Sequence, residues 1–388
     1  MTTEFEGYRR SDGSVGTRNY VGVLSAVVCV NEVVEGIVRQ VQGTARFTHH
    51  QGCCQTALDI ALVNKALIGL GRNPNLHSVI LITLGCESTN LAGVIEGIRA
   101  SGKRVEHLIV QETGGAARTT AQGILLAQTM VQDASLQRRE TFPVSQLVMG
   151  MKCGSSDTIS GLVPNPAIGV VSDLLVAAGG VSILGEVTEF IGAEHILVRH
   201  AANEAVGNGI LAVVQRMERR AMAVGEDMRG GQSTGGNIKG GITTIEEKSL
   251  GAIAKAGTAP IQAVYAYGER PTTKGLVVMD SPGREPEILT GLAAAGANVI
   301  VFATGRGAPQ GFPFVPVLKI TGSRTAIEKM SDHIDMDLSA VIDGADTIPD
   351  AGLRIFRELG RVASGAKTKA EICGYVNSMD IYMMGPVI

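Results

Sequence analysis

The sequence predicts an α/β protein built of several consecutive parallel or mixed sheets with crossover helices, in Rossmann-like layers that lack a dinucleotide fingerprint. Two patterns carry this expectation. Short β-branched runs alternate with amphipathic helical stretches along the whole chain, which is the order that parallel sheets require. Glycine and polar residues also recur just after the apolar runs, where strands hand over to helices. With 388 residues and 45% hydrophobic content, the chain is long enough for two or three such units.

Taken in order, the predicted strands are residues 20–30, 45–48, 78–84, 104–110 and 147–151, then 181–184, 276–279, 298–303 and 317–320. A long helix is expected over 203–227, and Thr243 reads as the N-cap of a helix that opens with Glu246 and Glu247. Soft boundaries near residues 135 and 250 give three units: 1–135, 136–250 and 251–388. The segment from Gly230 to Gly241 is dense in glycine and reads as a linker or a ligand loop, the second being favoured by Asn237 and Lys239.

Charge and composition exclude several classes of function. A net charge of -3 with no Lys/Arg-dense run offers no field for nucleic acid or an anionic membrane. The N-terminus lacks the apolar centre of a signal peptide and no run is long enough to span a bilayer, so a cytoplasmic location is expected. Six cysteines in a reducing compartment are then thiols or ligands, not disulfides. Fifty glycines, roughly 13% of the chain, mark frequent turns and close backbone approach.

In open α/β sheets ligands bind beyond the carboxyl ends of the strands. Those positions hold His49, Cys53, Cys86 and Glu87 in the first unit, and Cys153, Ser155, Ser156, Asp157 and Glu186 in the second. Cys53, Cys86 and Cys153, next to glycines and polar residues, are candidate ligands for a soft or borderline metal such as iron, although no C-x-x-C or H-E-x-x-H spacing is present. Cys29, within an apolar run, and the isolated Cys373 read as buried packing residues. The turn after residues 298–303 has the spacing G-x-G-x-x-x-G, with Pro309 and Pro313 where a helix would have to run. It is therefore no nucleotide cradle but a loop whose backbone, with Thr304 and Arg306, suits an anionic group.

Six phrases in order, SDGSVGTRNY, HHQGCCQ, TLGCES, KCGSSDTISGLVPNPAIG, GNIKGGITTIEEKSLGAIAKAG and ATGRGAPQGFPFVPVLKI, resemble the sugar-acid dehydratase family of the altronate and galactarate type. The resemblance implies an iron-dependent lyase acting on a small anionic hydroxy acid, with mononuclear Fe2+ as cofactor and an iron–sulfur cluster on three thiolates left open. Family members usually carry a small SAF-like domain ahead of the large one. This chain begins at the large domain, so a separate small SAF-like alpha subunit and a hetero-oligomer are expected. The resemblance matches His49 and Cys53 to a His-x-x-Gly-Cys segment, Cys86 and Glu87 to Gly-Cys-Glu, Glu186 and Glu189 to a Glu-x-x-Glu pair, and residues 304–307 to Thr-Gly-Arg-Gly. It matches Cys153 and Asp157 to Cys-Gly-Gly-Ser-Asp.

Cys54 and Ser155 stand where the dehydratases have glycine, His200 where they tend to have arginine, and Gln232 to Asn237 replace a Thr-Pro-Gly-Asn type turn. A shorter substrate with a second anion is compatible with those departures. The family resemblance, with a large domain of this length standing apart from its small one, implies β-elimination of sulfite from (2R)-3-sulfolactate to give pyruvate, the alternative being dehydration of altronate or galactarate. Substrate contacts are assigned to Ser155, Ser156, Asp157, Asn237, Lys239, Thr304 and Arg306. The catalytic acid or base is left among His49, Glu87, Glu186 and Lys248, or the partner subunit. A non-catalytic subunit that only presents substrate remains a separate reading.

Overall fold

The structure, a computed structural model, describes residues 3–230, 234–376 and 379–386. Gln232 and Ser233, part of the glycine-dense segment expected to serve as a ligand loop, lie outside the described residues. Its strands in chain order are β1 (Glu4–Arg9), β2 (Val15–Gly16), β3 (Tyr20–Ser25), β4 (Thr44–Phe47), β5 (Leu76–Thr83), β6 (Val105–Ile109) and β7 (Glu140–Pro143). They continue as β8 (Val148–Gly154), β9 (Val181–Leu184), β10 (Ile261–Tyr265), β11 (Gly275–Met279), β12 (Val299–Thr304), β13 (Val317–Thr321) and β14 (Met336–Asp337).

Two parallel sheets organise the molecule. The first has the order β4-β3-β5-β6 and the second β10-β11-β9-β8-β12-β13-β14, while β1, β2 and β7 form a small antiparallel sheet. In each parallel sheet the chain starts at an inner strand and lays later strands on both sides of it, the order reversing beside β3 in one and beside β8 in the other. A reversal of that kind leaves a crevice at the carboxyl ends of the central strands.

The fold class is the expected one, and the differences are local. The run 20–30 ends as a strand at Ser25, because Val28–Val30 turn into a 3-10 helix with the Val28 N–H on the Gln51 carbonyl at 3.0 Å. That turn exposes Cys29, which was expected in the core; Cys373 is exposed as well. The unit boundary expected near residue 250 falls between β9 and β10, yet both strands belong to one sheet, so 136–250 and 251–388 share it. Thr244, not Thr243, caps Ile245–Ile253, since Thr243 turns its hydroxyl and N–H to Glu247. Asn203 caps the long helix Glu204–Met222 by accepting from the Val206 N–H at 3.0 Å.

One face of the first sheet (Val21, Val23, Ile80, Ile82) is covered by the helices Asn31–Val38 and Ala116–Ser135, while the other joins the large core of the seven-stranded sheet. Polar side chains lock the seam between the two sheets. Asn75 Nδ2 donates to the carbonyls of Asn298 and Phe314 at 3.0 and 2.8 Å, and the Thr17 hydroxyl donates to Asn298 at 2.7 Å. Buried Arg18 grips Glu371 at 2.7 and 2.9 Å. The helical stretch Thr158–Ala177 is apolar and long enough to cross a membrane by composition, but 56% of it is buried inside the protein, where Pro164–Ala177 packs on Ile348–Ala363.

Candidate active site

The crevice beside β8 collects most of the singled-out residues. Cys153 lies at the carboxyl end of β8, Glu186 and Glu189 follow β9, and Thr304 ends β12 with Gly305 to Gly307 just beyond it. Glu186 takes a left-handed conformation with φ 67°, which costs a non-glycine residue about 1 kcal/mol or more. The Glu186 N–H, bound to the Ser281 hydroxyl at 2.9 Å, helps hold this turn, and the carboxylate is thereby aimed back under β8. There it accepts from Lys152 Nζ at 2.5 Å, from Lys255 Nζ at 2.8 Å and from the Cys153 N–H at 3.0 Å.

Around that carboxylate stands a buried ionic cluster. Cys153 Sγ donates to Glu189 Oε2 at 2.9 Å and accepts from Lys255 Nζ at 2.8 Å, while Lys248 Nζ lies 3.0 Å from Glu189 Oε1. Three ammonium groups therefore face two carboxylates and a thiol. Burial, reinforced by Glu189, pushes the Cys153 thiol up to about 12, so it stays protonated. Burial alone would raise Glu189, but Lys248, Lys255 and Lys152 pull it down to about 2. Glu189 in turn holds Lys248 well above its usual value, keeping it an ammonium.

In front of the cluster opens a cavity of about 620 Å³, the size of a small-molecule site. Its lining includes four basic side chains, Lys152, Lys248, Arg284 and Arg306, against two acidic ones, Glu189 and Glu285. A second cavity of about 250 Å³ shares Cys153 and Lys248 as a wall and is lined by Ser156, Asp157 and Asn165. Ser156 Oγ and Asn165 Oδ1 are buried there without a hydrogen-bond partner.

Three loops form the rim. The Arg306 N–H donates to Ser155 O at 3.0 Å and its guanidinium to Gly236 O at 3.0 Å, while Asn237 Nδ2 donates to Ser156 O at 2.9 Å. Thr234 caps the short helix Gly235–Lys239, so the segment expected to be a linker or loop is partly helical. Asp157 caps Thr158–Leu162 through a reciprocal pair of bonds with Ser160, and Thr304 Oγ1 accepts the Gly307 N–H at 3.1 Å. Ser155, Asn237 and Arg306 line the larger cavity, and Ser156 and Asp157 the smaller; Thr304 lines neither and Lys239 is exposed away from both.

The other singled-out residues sit at the carboxyl edge of the first sheet. His49 is fully buried, its Nε2 bonded to Ser25 O at 2.9 Å and its Nδ1 accepting from the Gln51 N–H at 3.1 Å. Both ring nitrogens are thus engaged, and burial lowers its pKa from 6.5 to about 4, so it stays neutral. Glu87 is spent on its own turn, accepting from the N–H groups of Leu84 and Gly85 at 3.1 and 2.7 Å. Cys53 and Cys86 are exposed, with Cys53 Sγ 3.7 Å from Cys54 Sγ and Cys86 beside Gln111 at 3.6 Å. The two edges meet at Asp380, which stands 3.4 Å from His50 and 3.8 Å from Arg284.

The three cysteines expected to share a metal do not gather. Among the described residues the one group of donors spaced to hold an ion is Cys153, Glu186 and Glu189, within 4.8 Å of one another. Thiolate and carboxylates suit iron in kind. Those same donors, however, converge on Lys255 Nζ, at 2.8 Å from the thiol, 2.8 Å from Glu186 and 3.5 Å from Glu189. As arranged, the group is closed around an ammonium and does not fit a metal ion.

Lys152, Lys255, Arg284 and Glu285 received no role from the sequence. Arg284 and Glu285 could have been found by applying the strand-end rule after β11 as it was applied elsewhere. Lys255 carried a fainter signal as the lone charge in the small-residue run AIAKAG.

Fold and site together define a doubly wound α/β protein with a cationic strand-end cavity sized for a small anionic molecule. Its relatives agree. A model for the C-terminal part of D-galactarate/altronate dehydratase matches residues 144–386, and one for the second domain of D-galactarate dehydratase/altronate hydrolase matches residues 7–135. The chain is 38% identical to the (2R)-sulfolactate sulfo-lyase subunit beta of Chromohalobacter salexigens over 96% of its own length and 95% of that protein. It is 36% identical to the altronate dehydratase of Bacillus subtilis, covering 86% of this chain and 68% of that one. With the galactarate dehydratase (L-threo-forming) of Escherichia coli it shares 34% identity, over 99% of this chain and 77% of the relative. The chain belongs to the D-galactarate/altronate dehydratase family.

Proposed function

We propose that the chain eliminates sulfite from (2R)-3-sulfolactate to give pyruvate, acting in the cytoplasm with a small SAF-like partner subunit. The observation that carries this reading is the excess of cations in the 620 Å³ cavity, where Arg284, Arg306 and Lys248 suit a small molecule with an anion at each end. A base takes the C2 proton, the C3–S bond breaks with its electron pair leaving on sulfite, and the enol gains a proton at C3. Of the four candidate acid–base residues only Lys248 lines the cavity. Held as an ammonium by Glu189, it acts as an acid and as a counter-charge to the enediolate. Iron stays an expectation from the family, and no step is assigned to it because Lys255 fills the focus of the donors.

A second reading rests on the smaller cavity. Its unpartnered Ser156 hydroxyl and Asn165 carbonyl oxygen suit a neutral hydroxylated chain, as a sugar acid would bring. Incubating the purified chain and its small partner with (2R)-sulfolactate, altronate and galactarate separates the two. Equal amounts of sulfite and pyruvate from the first substrate alone support elimination of sulfite. A 2-keto-3-deoxy acid from a sugar acid, without sulfite from sulfolactate, replaces it with dehydration.

A further inference from the structure

Cys153, Glu186 and Glu189 bring a sulfur and two carboxylates to within 4.8 Å of one another at the base of the cavity. Such a group ordinarily awaits a cation, and here the cation belongs to the chain. Lys255 is 1% exposed, and its Nζ meets Cys153 Sγ at 2.8 Å, Glu186 Oε2 at 2.8 Å and Glu189 Oε2 at 3.5 Å. We propose that the Lys255 ammonium is the resident cation of this donor group, and that a divalent metal enters it only when Lys255 withdraws.

Charge and geometry argue the same way. Lys152, Lys248 and Lys255 already outnumber the carboxylates of Glu186 and Glu189, so a divalent ion added to the intact cluster meets a net positive site in a poorly screened interior. Position on the chain explains why Lys255 arrives there. The 3-10 turn Ala254–Ala256 ends the helix Ile245–Ile253 and packs on Pro164–Ala177, with the Cβ-less Gly169 facing the Ala254 carbonyl. The helix that carries Lys248 to the mouth of the cavity thus carries Lys255 to its base. Removing the Lys255 charge while keeping its aliphatic bulk leaves the three donors converging on a space with no cation in it.

The test is anaerobic titration with Co2+ alone, read by the thiolate-to-cobalt charge-transfer absorption and by the amount of metal retained after gel filtration. No substrate is present, so the result is independent of the reaction proposed above. The wild-type chain is expected to show no such band with one equivalent of Co2+. Lys255→Met is expected to develop it and to bind at least ~10-fold more tightly, equivalent to about 1.4 kcal/mol. Lys255→Arg, which keeps the charge, should stay without the band, and the double variant Lys255→Met with Cys153→Ser should lose it. A strong band in the wild type at one equivalent overturns the proposal without recourse to any variant. So does a folded Lys255→Met chain, with unchanged near-ultraviolet circular dichroism, that binds no better than the wild type.

Discussion

Lys248 stands at the wall shared by both cavities with Glu189 3.0 Å behind it. If it delivers a proton to the reacting molecule, Lys248→Met lowers kcat by ~10²–10⁴-fold. Steady-state kinetics check this, and a variant that changes KM alone assigns Lys248 to binding. Arg284 and Arg306, by contrast, should act on binding. Replacing either with alanine is expected to raise KM by ~10-fold or more, the loss of one charge-assisted hydrogen bond of about 1.5–3 kcal/mol. His49 makes its contribution through stability. Its folded pKa of about 4 lies below the ordinary 6.5, so the unfolded chain takes up a proton first as the pH falls. Stability linked to His49 is complete above pH 6.5 and is lost on approaching pH 4, a span of about 3 kcal/mol. Urea midpoints at several pH values should show that slope, and His49→Gln should flatten it.

At the scale of elements, the rim of the cavity is three short loops that hold one another. Gly305 packs against Asp157 and Ser160, and a Cβ at that position would collide with the capping pair that starts Thr158–Leu162. Gly305→Ala therefore has to displace the loop that carries Arg306, at a cost of about 1–3 kcal/mol. The expected outcome is a raised KM together with a modest fall in Tm. A variant with wild-type KM would mean that the rim does not position substrate. Beneath the rim, Glu186 occupies its left-handed turn with its carboxylate between two lysines. Glu186→Gln leaves those ammonium groups buried with less charge to face, and should cost about 3–5 kcal/mol by chemical denaturation.

Across the whole molecule, the two parallel sheets face each other through one continuous apolar core, closed by a polar seam. Asn298 is central to that seam. Its side chain accepts the Val148 N–H at 3.0 Å and donates to Val15 O at 3.0 Å, while its carbonyl takes Thr17 and Asn75. A shared core predicts a single cooperative unfolding transition, with Asn298→Ala lowering the midpoint without splitting it. Two separate transitions by calorimetry would contradict the continuity of the core.

The alternation of β-branched runs with helical stretches was enough to determine the α/β class, and the strand-end rule singled out Cys153, Glu186 and Arg306, which the fold gathers around one cationic cavity. Those signals are local, since each depends on a few neighbours along the chain. Tertiary structure decided which strand ends meet. It set His49 and Glu87 to closing their own turns, because the buried ring and the half-buried carboxylate had backbone groups within reach. It placed Cys53 and Cys86 on one sheet and Cys153 on the other. It also brought Lys255 onto Cys153 across 102 residues, a pairing fixed by how one helix end packs beneath β8 and left unmarked by any local periodicity.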